Sequence, residues 1–410
     1  MVEKTPRSMR IHIGVFGRTN TGKSSLINYI VGQNISIVSS LPGTTTDIVE
    51  KSMELLPLGP VLLIDTAGIN DGSEIGSLRV EKTKKVFDRV DFGLVVTSAG
   101  EWGEYEEGIL SELEKRGSKP IIIINKIDLK RPDESFLNIF KSRKIDFIEC
   151  STKVPQSRDE FLDRLKKILI ENRNEERYII RDLVSQKTPV VLIIPIDKEA
   201  PKGRLILPQA QVIRELLDNS NVCVVLKEGE YEDFIRHSFI KPELVVCDSQ
   251  IVKFMVDKTP SDIKCTTFSI LFSRFKGDMK IFVKGVREIP RLSDGDRVGI
   301  LEACSHHPNC DDIGRVKLPS WIKKATGKNI KFEFFSGRDF PDNLSDYRLL
   351  IHCGGCMLNF REVLARQNLC LDKGIAVTNY GMAISYCLGV IERVLEPFPE
   401  MLDIYKESDR

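Results

Sequence analysis

Apolar residues along this chain fall into short, nearly unbroken runs separated by polar turns, the pattern of strands buried on both faces. Ile11–Phe16, Val61–Ile64, Ile121–Ile124 and Phe147–Cys150 are such runs. Ser25–Val31 opens a helix, and Arg158–Ile170 closes the alternation, with Phe161, Leu162, Leu165, Ile168 and Leu169 at helical spacing. Glu171–Arg177 is polar and aperiodic, which ends a first domain, 1–172. A second alternation follows: strand Val190–Pro195, helix Gln209–Asp218, strand Val222–Leu226, helix Tyr231–Ser238 and strand Leu244–Val246. It predicts a small parallel sheet with helical crossovers, residues 173–262. The remainder, 263–410, again alternates. Helices are expected at Thr267–Phe275, Met279–Val286, Ser320–Thr326 and Phe360–Arg366, and one last helix from Met382 to about Leu395. Strands are expected at Val298–Glu302, Ile330–Phe335, Leu349–Ile351 and Ile375–Thr378. The fold class is α/β: a phosphate-loop domain, then two smaller α/β domains with mainly parallel sheets.

Composition narrows the picture little. The 410 residues are 41% hydrophobic and 29% charged, with net charge +1, so no overall field recruits nucleic acid or a membrane. The first residues lack the apolar stretch of a signal peptide, and no run approaches the ~20 residues that span a bilayer. A cytoplasmic protein is expected. There the ten cysteines are not a disulfide framework. Cys223, Cys247, Cys265, Cys370 and Cys387 read as core residues.

The turn after the first strand is Gly17-Arg18-Thr19-Asn20-Thr21-Gly22-Lys23-Ser24, a G-x-x-x-x-G-K-[ST] phosphate loop. Backbone N–H groups of Thr21, Gly22, Lys23, Ser24 and Ser25 at a helix N-terminus suit phosphate oxygens. Lys23 would neutralise the β- and γ-phosphates, and Ser24 would ligate Mg²⁺. Asp65-Thr66-Ala67-Gly68 follows the second run; Asp65 can hold the Mg²⁺ shell and Gly68 can approach the γ-phosphate. Asn125-Lys126-Ile127-Asp128 follows the third, where Asp128 can accept from N1–H and the 2-amino group of guanine, a pairing adenine cannot make. Ser151-Thr152-Lys153 is suited to the far side of the base. A threonine of Pro42–Asp47 should reach Mg²⁺. Five elements in this order identify a GTPase. Ile69 stands where Ras-like enzymes carry a water-orienting glutamine, so the domain resembles the Era and MnmE type. That resemblance implies a potassium ion held by Asn20, with Thr45 on Mg²⁺; Thr46 departs from the arginine many relatives carry.

A second signal lies in the third domain. Cys304-Ser305-His306-His307-Pro308-Asn309-Cys310 and His352-Cys353-Gly354-Gly355-Cys356 each follow a predicted strand, and strand ends of a parallel sheet share one rim. Cys304, Cys353 and Cys356 can hold an iron–sulfur cluster, a Cys₃His zinc, or, less economically, a redox C-x-x-C pair. His306, His307, His352 or Cys310 can complete a set.

The combination resembles the HydF family of [FeFe]-hydrogenase maturation GTPases. The resemblance rests on Gly17–Ser24, Asp65–Gly68, Asn125–Asp128, and the C-x-H…H-C-x-x-C pattern at Cys304, His306, His352, Cys353 and Cys356. It implies a dimerisation domain in the middle, hence a homodimer, and a [4Fe–4S] cluster on Cys304, Cys353 and Cys356 with an exchangeable position. His306 and His352 would be ligands or outer partners. The implied partners are apo [FeFe]-hydrogenase and two radical-SAM maturases, with GTP turnover to GDP regulating their association. The alternative is an Era- or MnmE-like GTPase acting on RNA or ribosomes with a structural zinc domain. The nearly balanced charge of the third domain and the lack of a G-x-x-G clamp speak against it.

Overall fold

The computed structural model describes residues 5–32, 49–66, 85–173, 177–196, 205–303 and 312–407. The chain divides into two compact units, Met1–Glu175 and Glu176–Arg410.

The first unit runs β1 (Ile11–Phe16), α1 (Lys23–Val31), β2 (Val49–Leu55), β3 (Gly59–Asp65), β4 (Phe92–Ser98), α2 (Glu104–Lys115), β5 (Lys119–Asn125), α3 (Glu134–Ser142), β6 (Asp146–Glu149) and α4 (Arg158–Glu171). Its sheet has the order β2-β3-β1-β4-β5-β6. All neighbours are parallel except β2, which pairs antiparallel with β3 over its whole length. Sequence pattern does not reveal β2, because Glu50, Lys51 and Glu54 break up its apolar positions and only one side of an edge strand is paired. Ile121–Ile124 are fully buried, and the two faces of the sheet carry separate apolar cores. The order places β1 at the sheet centre, so the turn after it opens at the carboxyl rim beside the ends of β3 and β5.

The second unit holds two four-stranded sheets. One comprises β7 (Pro189–Ile193), β8 (Val222–Leu226), β9 (Leu244–Cys247) and β10 (Lys264–Thr267), with α5 (Leu207–Asp218), α6 (Glu228–His237) and α7 (Val252–Lys258) between them. Its order is β10-β9-β7-β8. β10 lies beyond residue 262, so the middle sheet draws on chain that the sequence reading assigned to the third domain. Next come α8 (Phe268–Lys276), α9 (Met279–Val286), β11 (Arg297–Glu302), α10 (Leu318–Thr326), β12 (Lys331–Ser336), β13 (Leu349–His352), α11 (Phe360–Asp372) and β14 (Ala376–Asn379). This sheet is parallel with the order β12-β11-β13-β14. A single apolar core runs through both sheets. The chain closes with α12 (Tyr380–Cys387), α13 (Ile391–Leu395) and α14 (Pro399–Glu407). The one long final helix expected from Met382 is thus broken. Gly389 at φ 70° takes a left-handed turn that ends α12 and starts a new direction.

Side-chain caps fix where the helices around the cysteine segment begin. Thr267 accepts from Ile270 N (3.2 Å) ahead of α8, and Asn359 accepts from Glu362 N (3.0 Å) ahead of α11.

Candidate functional site

The turn between β1 and α1 requires Gly22. Its φ is 96°, and a Cβ there would fall 2.4 Å from Asn125 Nδ2. Asn125 ends β5 and is 1% exposed. Its Nδ2 donates to Thr21 O (2.9 Å), and its Oδ1 accepts from Thr152 N (3.4 Å). One side chain therefore ties together three segments that are far apart in sequence. Lys23 is buried, which lowers its pKa, and its ammonium donates to Gly17 O (2.8 Å) and Arg18 O (2.7 Å). Ser24 Oγ donates to Asp65 Oδ2 (2.8 Å). Burial pushes the Asp65 carboxyl up, while that hydroxyl and Lys23 pull it down. Asn20 is exposed with φ 64°, and its carbonyl accepts from Lys126 Nζ (2.6 Å). Ser24 and Ser25 are exposed too.

Asp128 is exposed, and Ser151 Oγ donates to its Oδ1 (2.6 Å), which holds its carboxyl below the usual range. Lys153 N in turn donates to Ser151 Oγ (3.3 Å). The result is a row along one rim: an ammonium and helix N-terminus at α1, a hydroxyl–carboxylate pair, and an oriented carboxylate at Asp128. Such a row can hold a polyphosphate, a divalent ion and a purine edge in turn. Thr45 and Gly68 lie outside the described residues.

One residue of this site was not singled out from the sequence. Arg18 donates from Nε (2.6 Å) and Nη2 (2.9 Å) to Glu106 of α2, whose side chain is fully buried. Glu106 also accepts from Gly103 N (3.0 Å), and Arg18 lies over the Tyr105 ring. The readable signal was the acidic third position of a helix start, which caps Gly103.

In the second unit, β11 and β13 are neighbours in register, with Leu301 opposite His352. The last residues of the two strands therefore meet at one rim of the sheet. Ala303 N donates to Cys353 Sγ (3.1 Å), and Gly355 N donates to the same sulfur (3.4 Å). Cys304 is the residue after Ala303; it and His306 lie outside the described residues. Cys353 and Cys356 are both half-buried. Burial raises both thiols, Cys356 to about 11; the two N–H donors oppose the rise at Cys353, and Lys276 opposes it at Cys356.

His352 is 2% exposed, and burial beside Arg366 lowers it to about 3, so the ring is neutral. Its Nδ1 donates to Cys353 O (2.8 Å), and its Nε2 accepts from Arg366 Nη1 (3.4 Å). Both ring nitrogens are engaged, which leaves no lone pair for an ion. Among the described residues no group of three His, Cys, Asp or Glu is placed to hold a metal. Two sulfur-directed N–H groups on a paired cysteine nevertheless match what a cluster-ligating thiolate accepts. No helix among the described residues is long and apolar enough to cross a membrane.

Comparison with known proteins places three family models along the chain. A 50S ribosome-binding GTPase model matches residues 12–126. A hydrogen maturase F dimerization domain matches residues 179–277, and a hydrogen maturase F tetramerization domain matches residues 280–397. GTPase Der of Kosmotoga olearia is 33% identical over 212 residues, which is 48% of this chain and 47% of that protein. The tRNA modification GTPase MnmE of Leptospira biflexa is 32% identical over 173 residues, 41% of this chain and 37% of that one. GTPase Era of Caldicellulosiruptor saccharolyticus is 29% identical over 208 residues, 47% of this chain and 68% of that one. The chain spans less than half the length of the Der and MnmE relatives.

Proposed function

The chain belongs to the hydrogen maturase F family of hydrogenase-maturation GTPases, and from that premise we propose that it is a GTP-hydrolysing scaffold that carries a metallocluster precursor to apo [FeFe]-hydrogenase. The first unit would convert GTP to GDP and phosphate. Lys23 and the backbone N–H groups from Thr21 to Ser25 would take the phosphates, with Gly68 at the γ-phosphate. Ser24, Thr45 and Asp65 would hold Mg²⁺. Asp128 would read guanine, with Asn125, Lys126 and the Ser151–Lys153 segment around the base. Asn20, whose side chain forms no hydrogen bond among the described residues, would hold K⁺. Rates of GTP hydrolysis in K⁺ should exceed those in Na⁺; equal rates would remove the ion from the mechanism.

The second unit would hold a [4Fe–4S] cluster on Cys304, Cys353 and Cys356. When bound, such a cluster supplies an iron position that three cysteines leave open to exchange. The observation that carries this reading is the convergence of two backbone donors, Ala303 N (3.1 Å) and Gly355 N (3.4 Å), on the sulfur of Cys353 at the head of the C-x-x-C pair, since a cluster-ligating thiolate accepts such bonds. His352 would act as an outer partner that fixes the Cys353 carbonyl, and His306 would stand at or near the cluster. Dimerisation would use β8, an edge strand whose Val222 and Val225 are 50% and 45% exposed. Two radical-SAM maturases would be the other partners, and the protein would act in the cytoplasm.

Iron and acid-labile sulfide analysis of protein purified and reconstituted without oxygen tests the cluster, with electron paramagnetic resonance of the reduced form. About four iron and four sulfide per chain are expected. One tightly held zinc and no sulfide would overturn the scaffold reading.

A further inference from the structure

Two buried cations border the Cys353–Cys356 loop. Lys276, the last residue of α8, is 2% exposed. One turn earlier on the same helix face, Phe272 Cβ lies 4.0 Å from where a Gly354 Cβ would stand. Residues four apart share a face, so Lys276 is carried on the side of α8 that meets the loop. Arg366 of α11 is 9% exposed. It follows Val363 by three residues, and Val363 Cγ2 lies 3.4 Å from where a Gly355 Cβ would stand. Through its bond to His352 Nε2, Arg366 is also one side chain away from the Cys353 carbonyl.

Arg366 forms no ion pair within 4.0 Å among the described residues. Glu362, one turn before it on α11, attracts Arg366 but takes its ion pair from Arg338 (3.2 Å), so its charge is shared between two cations. A guanidinium withdrawn from water is costly unless negative charge lies close by. An iron–sulfur core held by three thiolates carries net negative charge and gains one more on reduction.

We propose that Arg366 and Lys276 are the built-in counter-charges of the cluster on Cys304, Cys353 and Cys356, and that they raise its reduction potential. This deepens the cluster reading above and rests on it. The step concerned is the uptake of one electron from an external one-electron reductant, with no bond made or broken. A fixed positive charge in a poorly screened site stabilises the reduced form more than the oxidised one. Both are positioning residues: neither is offered as a ligand.

The test is a redox titration of the full chain, reconstituted without oxygen and followed by electron paramagnetic resonance, for the parent, R366Q, R366K, K276Q and K276R. Iron and sulfide are counted in each. The expected result is parent-like metal content throughout, midpoint potentials shifted negative in R366Q and K276Q, and parent-like potentials in R366K and K276R. Unchanged midpoints in R366Q and K276Q with clusters intact would overturn the proposal and leave the cluster reading standing. A parent protein that takes up no iron or sulfide would overturn the cluster reading itself, and this proposal with it. If R366Q fails to fold by circular dichroism, K276Q against K276R decides the matter by the same criterion.

Discussion

Truncating Arg18 to alanine would break the ion pair that fastens the phosphate loop to α2. Glu106 would then keep one of its three donors, Gly103 N, with its side chain fully buried. Removing one partner of a buried pair costs about 3–5 kcal/mol. Arg18 itself is 39% exposed, so water can enter where the guanidinium was and soften the loss. Two charge-assisted hydrogen bonds (2.6 and 2.9 Å) still disappear, together with a cation contact to Tyr105 at 5.2 Å. The net expectation is a destabilisation of about 2–3 kcal/mol. E106Q should cost less, about 1–2 kcal/mol, because it leaves a half-exposed cation that water can solvate. The double variant R18A/E106Q should cost less than the sum, with a coupling of about 1.5–2 kcal/mol. Equilibrium urea unfolding of the full chain in a W321F background can measure this. Trp102 is then the sole tryptophan, and its Nε1 donates to Glu107 of the same helix. The carbonyl of Arg18 also accepts from Lys23, so R18A should raise the KM for GTP as well. A stability within 0.5 kcal/mol of the parent, or a coupling near zero, would refute the reasoning.

K23A should abolish GTP turnover without changing iron content, since Lys23 lies in the first unit and the cysteines in the second; turnover and metal assays on one preparation check both. C353S should deplete iron and spare nucleotide binding, measured by equilibrium dialysis, and full iron retention would remove Cys353 from the site. Tyr231 is fully buried and its hydroxyl pairs with Thr259 (2.7 Å), with burial raising it to about 12. The folded state keeps this proton where the unfolded chain loses it. Stability is therefore complete below about pH 10 and falls by about 2 kcal/mol as pH rises towards 12. Y231F should flatten that slope in alkaline unfolding curves, and an unchanged slope would assign it to other groups. V225K should convert an oligomer to smaller species by light scattering, because a lysine on an edge strand blocks pairing; an unchanged mass would move the interface away from β8.

Order and spacing of local motifs were enough to establish the class of the first unit, a phosphate-loop domain on a mainly parallel sheet, because each motif ends a strand whose unbroken apolar run can be stable only inside such a sheet; β2 and β4 were not among the expected runs. The alternation was equally plain in the second unit, where every expected strand has a counterpart within a few residues. The chemistry of the candidate sites was legible only as residue types: an ammonium in a phosphate loop, a carboxylate after β5, a C-x-x-C after β13. Their supports were not. Glu106 reads as an ordinary helix-start acid, Arg366 and Lys276 as ordinary surface cations, and Asn125 as one letter of a base-reading motif. Long-range packing made the first a buried anchor for Arg18, the next two a cationic border for the cysteines, and the last a bolt between Thr21 and Thr152. The same holds for β10, which joins the middle sheet, and for Gly389, which breaks the final helix. Hydrophobic pattern records which faces of each element are buried, so it determined the elements and the sheet class. Which charged side chains lose their water depends on contacts between residues far apart in the chain, and only the tertiary structure decided that.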